Sequence, residues 1–270
     1  MKPIRSILLI PNTRKDIAGE RIGALVDRLT KQGCRVGVDA DPDLGWDAAL
    51  VLGGDGTVIE ASHRLLGRDI PLIGINYGHV GFLSEIETDE AWLLERLLTG
   101  NYTLEERMML SARVTGEDGK ARGEYTVLND IVLTNGPVAR LISFDVTCGG
   151  VRIVSCRADG AIFATPTGST AYSLSAGGPV LDPFLEGICF TPICPHTLSS
   201  RPVIFRGDAE LCVTEIRHNG ASVYLNADGR EDLAIRPGDR IEVKRSEHTT
   251  KLLRVKDAGF LSVLHAKLSE

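Results

Sequence analysis

The strongest constraint on this chain is a junction near residue 50. Ala48-Ala49-Leu50-Val51-Leu52 is a continuous apolar run with no polar alternation. That is the pattern of a strand buried on both faces of a parallel sheet. It runs directly into Gly53-Gly54-Asp55-Gly56-Thr57, and a helical pattern carrying Val58, Ile59, Leu65 and Leu66 follows. The neighbouring segments repeat the alternation. Residues 7–10 and 35–38 read as strands, and Ile22, Leu25, Val26 and Leu29 keep a helical spacing between them. Residues 71–75 read as another buried strand and 92–98 as another helix. This predicts an α/β domain over residues 1–100, built on an open, mostly parallel sheet.

The pattern changes after Gly100. Short strand-like runs dominate, among them 203–205, 211–213, 223–225 and 241–243, and Gly-containing turns punctuate them. Residues 117–120 and 148–151 carry hairpin signals. Residues 101–255 therefore read as a β-rich, sandwich-like second domain. Leu261, Leu264 and Leu268 give residues 256–270 a helical period, and this segment is expected to fold back onto the first domain.

Charge and cysteine usage narrow the function classes. The net charge of −6 argues against non-specific nucleic-acid binding, though not against a small anion in a local pocket. No apolar run approaches the ~18 residues of a membrane span, and the N-terminal stretch reads as a first strand rather than a signal peptide. The six cysteines form no CxxC pair. Cys189, Cys194 and His196 match no common zinc spacing, and their apolar neighbours favour buried thiols, reduced in a cytoplasmic setting.

Glycine is in excess, 29 of 270 residues against a typical ~7%. Seven fall between Gly53 and Gly81 and four between Gly160 and Gly178, so the surplus concentrates at two stretches. In the first, glycines between a buried strand and a helix let backbone N–H groups approach phosphate oxygens, beside a helix N-terminus. A tight turn alone would explain the glycines equally well. The unusual member is Asp55. Phosphate repels a carboxylate, unless it holds Mg²⁺ or accepts a proton from an attacking hydroxyl. In the second stretch, residues 159–178, an apolar strand runs into a cluster of hydroxyls and glycines denser than helix capping requires. A third signal is Asn129-Asp130, two polar residues inside a strongly apolar run. They mark either a strand end or an amide and a carboxylate turned into a cleft.

In this order these motifs resemble the NAD kinases. Residues 52–57 resemble the family's GGDGT signature, which lipid and diacylglycerol kinases share. Residues 74–78 and 80–83 are similar to the next block. Residues 159–178 are similar to its long TPTGSTAYSLSAGGP region almost residue for residue, and 194–202 resemble a further segment. The resemblance implies an α/β domain and a sandwich-like β domain with the active site between them. It implies phosphorylation of the adenosine-ribose 2′-hydroxyl of NAD⁺ to NADP⁺, using ATP or another phosphoryl donor such as polyphosphate with Mg²⁺ or another divalent metal. It also implies a homodimer or homotetramer, with no nucleic-acid or membrane partner.

By the same resemblance Asp55 is the catalytic base, and Gly53, Gly54, Gly56 and Thr57 form the phosphate loop. Asn129, Asp130, Arg140, Arg157, Asp159, Thr167, Thr170, Ala171, Tyr172, Ser175 and Arg230 fall on dinucleotide-binding positions, and the metal is held mainly through the donor's phosphates. Three positions depart from the family: Asp130 replaces Glu, with a reach one methylene shorter, His79 replaces Arg, and Arg230 replaces Gln. The rival readings are a lipid or diacylglycerol kinase and a non-catalytic dinucleotide-binding regulator. The first lacks a basic membrane-facing patch, and the second has no use for Asp55.

Overall fold

The structure is a computed structural model that describes residues 1–12, 19–77, 81–136, 141–196, 200–218, 222–257 and 259–269. It divides into two compact units, Met1–Glu106 with Thr250–Glu270, and Arg107–Thr249. The first unit alternates strand and helix: β1 (Ser6–Pro11), α1 (Gly19–Lys31), β2 (Arg35–Val38), β3 (Ala48–Leu52), α2 (Asp55–Arg64), β4 (Leu72–Asn76), β5 (Ile86–Glu87) and α3 (Leu94–Thr99). Its sheet runs β2-β1-β3-β4, all parallel, and β5 adds to β4 at Ile75 and Ile86.

Every residue of β3 and β4 is buried, as their unbroken apolar sequences require. Leu25 and Leu29 of α1 and Leu94 and Leu97 of α3 pack onto Leu9, Leu50, Leu52, Ile73 and Ile75. Truncating such a leucine to alanine costs about 2–5 kcal/mol, so this core holds the strand ends, and the loops beyond them, in fixed places. The helix expected over 92–98 is split in two. A capping box between Glu87 and Glu90 starts a tighter 3₁₀ segment, Thr88–Leu93, before α3, and Gly100 ends it at φ 76°.

The chain enters the second unit along β6 (Thr103–Thr115). There follow β7 (Ala121–Val127), β8 (Asp130–Asn135), β9 (Ile142–Cys148), β10 (Val151–Ala158), β11 (Gly160–Ala164), the single-turn α4 (Tyr172–Ser175), β12 (Gly187–Ile193), β13 (Val203–Arg206), β14 (Leu211–His218), β15 (Val223–Ala227), β16 (Glu231–Ile235) and β17 (Arg240–Arg254). One antiparallel layer has the order β13-β12-β11-β8-β15-β16, and β10-β9-β14-β17 forms the other. Leu133, Phe163, Phe190 and Leu225 of the first layer share a core with Phe144, Val146, Val213 and Val243 of the second. The unit is thus a sandwich.

The division falls at 106/107 and 249/250, a few residues from the 100/101 and 255/256 read from the sequence. Two long strands account for the offset. Both β6 and β17 begin in one unit and end in the other, and sequence pattern does not mark a boundary inside a strand. The last helix, α5 (Phe260–Leu268), belongs to the first unit, where Phe260 lies 6.0 Å ring to ring from Phe82. Among the described residues no helix is long and apolar enough to cross a membrane. Cys189 is buried, but Cys194 is exposed, contrary to expectation, because β12 ends at Ile193 and Cys194 turns outward at φ 45°.

Candidate active site

The junction at residue 52 builds the first cluster. β3 ends at Leu52, Gly53 donates its N–H to Ile75 at 2.9 Å, and Gly54 caps α2, so Asp55 opens the helix. Asn12, just past β1, donates to the Thr57 hydroxyl at 2.8 Å. The N–H groups of Asp55 and Gly56 have no intrahelical acceptor and face the sheet's carboxyl edge, where the helix dipole is positive. An added Cβ at Gly56 would meet nothing within 4 Å, and at Gly54 only Asn76 Oδ1 at 3.8 Å, so this turn has room beside it. Gly53 does not. It is buried against the Thr57 side chain and shapes the loop rather than opening it.

The Asp55 carboxylate is held from the segment after β4. Oδ2 accepts the Phe82 N–H at 2.7 Å. Oδ1 accepts the Leu83 N–H at 3.0 Å, the Ser84 N–H at 3.2 Å and the Ser84 hydroxyl at 3.3 Å. A carboxylate offers about two lone pairs per oxygen. Oδ1 is therefore saturated, and Oδ2 keeps one acceptor position. Gly81 precedes these donors because a Cβ there would overlap the carboxylate itself.

The second cluster lies in the sandwich, where β8, the segment after β11 and the β15–β16 turn meet. Asp228, at φ 50°, accepts the N–H groups of Leu128 and Asn129 at 2.8 Å and of Asp130 at 3.0 Å. Thr165 donates its hydroxyl to Leu128 and its N–H to Asn129, and Gly168 lies so close to the Asn129 backbone that no Cβ fits. Asn129 Oδ1 is buried without a hydrogen-bond partner, a costly state that a ligand donor would relieve. Asp130 is 6% exposed. Burial first, then the Asp228 charge, push its carboxyl up to about 7.

The hydroxyl-rich segment splits its side chains between two tasks. Ser169 donates to Pro166 at 2.6 Å and accepts from Leu181 at 2.9 Å, and Ser173 pairs with Thr191 at 2.9 Å, so both are spent inside the fold. Buried Thr167 accepts from Arg107 at 3.5 Å, and the Thr170 hydroxyl donates to the Thr167 carbonyl at 3.2 Å. Thr170 and Ala171 are half-buried, and Tyr172, Ser175 and Arg230 are exposed.

Not every sequence-predicted residue joins this cluster. Asp159 precedes β11 while Thr167 follows it. Its partner Asn135, which donates to Asp159 Oδ1 at 3.2 Å, ends β8 whereas Asp130 begins it. Exposed Arg157 sits with Asp159. Asp159 and Thr167 thus flank opposite ends of β11, whose four steps span about 13 Å. His79 and Arg140 lie outside the described residues. Sequence reasoning missed Asn12, the 82–84 donors and Asp228. Asn12 could have been found, since it directly follows a strand's carboxyl end in the same sheet. The Asp228-Gly229 turn was visible, but its partners lie about a hundred residues away.

Comparison with known proteins gives this geometry a family. Residues 30–102 match the ATP-NAD kinase N-terminal domain and residues 128–255 the ATP-NAD kinase C-terminal domain. The NAD kinase of Natranaerobius thermophilus is 40% identical over 98% of both chains. That of Symbiobacterium thermophilum is 46% identical over 83% of this chain and 78% of its own. Among solved structures, an NAD kinase from Archaeoglobus fulgidus in complex with ATP aligns over 98% of both chains at TM-score 0.78 and 26% identity. Yeast NADH kinase complexed with NADH shares the fold, at TM-score 0.87 and 23% identity over 99% of this chain and 88% of its own. With both domains matched in order and relatives above 30% identity over 83% to 98% of the chain, this protein belongs to the NAD kinase family.

Proposed function

We propose that this chain transfers a phosphoryl group from ATP to the adenosine-ribose 2′-hydroxyl of NAD⁺, giving NADP⁺. The observation that carries the reading is Asp55, fixed at the start of α2 with one acceptor position left on Oδ2, beside a turn with open space at Gly54 and Gly56. A ribose hydroxyl is a poor nucleophile at neutral pH. Oδ2 takes its proton as the new P–O bond forms and the bond from the γ-phosphorus to the bridging oxygen breaks, releasing ADP, a step worth about 10²–10⁴-fold. The N–H groups of Asp55 and Gly56 meet donor phosphate oxygens, and Thr57, tied to Asn12, keeps the turn in shape. In the second unit Asn129 and Asp130 bind the nucleoside portion, with Thr167, Thr170, Ala171, Tyr172 and Ser175 along its edge.

Among the described residues no group of three His, Cys, Asp or Glu is placed to hold a metal ion. On this reading Mg²⁺ would arrive on the donor's phosphates and neutralise their charge. Polyphosphate as an alternative donor and a cytoplasmic setting belong to the same reading. So does a homodimer or homotetramer, which gives Arg157 and Asp159, remote from Thr167 within one chain, a dinucleotide to contact.

The test is purified protein with Mg²⁺, ATP and NAD⁺, with NADP⁺ read by a cycling enzyme. Wild type should form NADP⁺, and Asp55→Asn should bind NAD⁺ while losing about 10³-fold in turnover. Wild type that binds NAD⁺ yet forms no NADP⁺ would overturn the kinase reading. Full activity in Asp55→Asn would remove the base role alone.

A further inference from the structure

The segment that holds Asp55 is itself held from its other side. Arg254, at the end of β17, has a 13% exposed side chain set between two carboxylates, Glu85 at 3.0 Å and Glu105 at 2.9 Å. Its Nη1 also donates to the Leu83 carbonyl at 3.4 Å. Glu85, 7% exposed at its side chain, accepts the N–H groups of Val255 at 2.8 Å and Lys256 at 2.7 Å. Its own N–H donates to Gly74 in β4 at 3.0 Å. Phe82 completes the set, with Phe260 beside its ring and the Lys267 ammonium 4.9 Å above it.

Two of the residues gripped by the C-terminal segment, Phe82 and Leu83, are also donors to Asp55. Leu83 gives its N–H to Asp55 and receives Arg254 on its carbonyl. Buried ion pairs of this kind add little net stability against a well-packed apolar replacement, but they fix geometry tightly. A hydrogen-bonded carboxylate follows its donors, so a shift of Leu83 moves Oδ1 and reorients Oδ2.

We propose that Arg254 is a positioning residue for Asp55, acting through Leu83 and Glu85, and that the C-terminal segment thereby sets the geometry of phosphoryl transfer. This rests on the base role proposed for Asp55. The guanidinium fork serves two carboxylates and a carbonyl at once, which a lysine ammonium on a single stem does less well.

The experiment compares Arg254→Met, Arg254→Lys and Glu85→Gln in the full chain, alone and combined with Asp55→Asn. kcat and KM for both substrates are measured, with NAD⁺-binding stoichiometry to count competent sites. Arg254→Met should lose about 10- to 100-fold in kcat per competent site with both KM values within about threefold. Arg254→Lys should recover part of the loss. Glu85→Gln, which keeps the shape and an acceptor oxygen for the Val255 and Lys256 N–H groups but sets an amide N–H against Arg254 where Oε2 accepted from it, should show the same split if Arg254→Met folds poorly. In the Asp55→Asn background Arg254→Met should add almost nothing, because its effect passes through the missing carboxylate. An unchanged kcat per competent site, or losses that multiply in the double variant, would overturn the proposal. A fully active Asp55→Asn removes its premise instead, and that outcome is read from the single variant.

Discussion

Asp55 and Asp228 are treated almost identically by the backbone, one in each unit. Asp55 accepts the N–H groups of Phe82, Leu83 and Ser84, and Asp228 those of Leu128, Asn129 and Asp130. Both pin a segment that precedes or opens a strand. What differs is the surroundings. Asp55 opens a ten-residue helix beside open glycines. Asp228 sits in a two-strand turn against the buried carboxyl of Asp130. The backbone contacts alone therefore do not distinguish a working carboxylate from a structural one. On the proposed reading, placement at a helix start beside open space is what separates them.

The sharpest way to break the comparison is the same substitution at both sites. An asparagine keeps one acceptor oxygen for the N–H donors but cannot take up a proton. Asp55→Asn should cost about 10³-fold in turnover with NAD⁺ affinity nearly intact. Asp228→Asn should raise KM for NAD⁺ more than it lowers kcat, because it loosens the Asn129–Asp130 pair without touching the reacting hydroxyl. Equal losses of kcat at the two sites would reduce Asp55 to a structural clamp.

That ambiguity marks the limit of what the sequence shows. β3 and β4 were legible because a strand buried on both faces leaves an unbroken apolar run, and Asp55 because a carboxylate stands out among the glycines of a strand-to-helix turn. The grip of residues 82–84 on Asp55 was not legible, because it joins residues 27 to 29 positions apart through backbone donors that every residue possesses. The same holds for Asp228. The hydroxyls of residues 165–175 were not separable by sequence into those that serve the fold and those left over. Ser169 and Ser173 look like ligand donors, yet they bond within the fold, since a tightly turned segment between two strands must satisfy its own polar groups.

The acidic neighbour of Asp228 offers a second test, in stability rather than rate. The carboxyl of Asp130 is held at about 7 against an ordinary 3.8. An unfolded chain releases that proton near 3.8, while the folded one keeps it until about 7. The folded state thus has an advantage below pH 4 that it loses as pH rises through 7. Asp130→Asn has no proton to lose. Its stability relative to wild type should climb between pH 4 and 7 by a few kcal/mol, at most about 4, and then level off. Urea titrations at several pH values measure this, and a difference that stays flat across the window would mean Asp130 ionises as freely as an exposed carboxylate.

The smallest effects come from two glycines that mirror each other. A Cβ at Gly168 would collide with the carbonyl oxygen, carbonyl carbon and Cα of Asn129, all backbone atoms of a segment clamped by Asp228. A Cβ at Gly81 would collide first with the Asp55 carboxylate, a side-chain terminus held by hydrogen bonds rather than by the chain. Gly168→Ala should therefore be paid in stability, about 1–3 kcal/mol for overpacking against atoms that cannot move aside. Gly81→Ala should lower the melting temperature less than Gly168→Ala does, because the carboxylate can swing away and only its hydrogen bonds are lost. It then leaves its N–H donors and the line of attack, and turnover should fall about tenfold or more. The two alanines thus separate the units by readout, thermal melting for one and kcat for the other. If Gly81→Ala instead melts early at full kcat per folded molecule, Asp55 and its donors serve the fold and not the reaction.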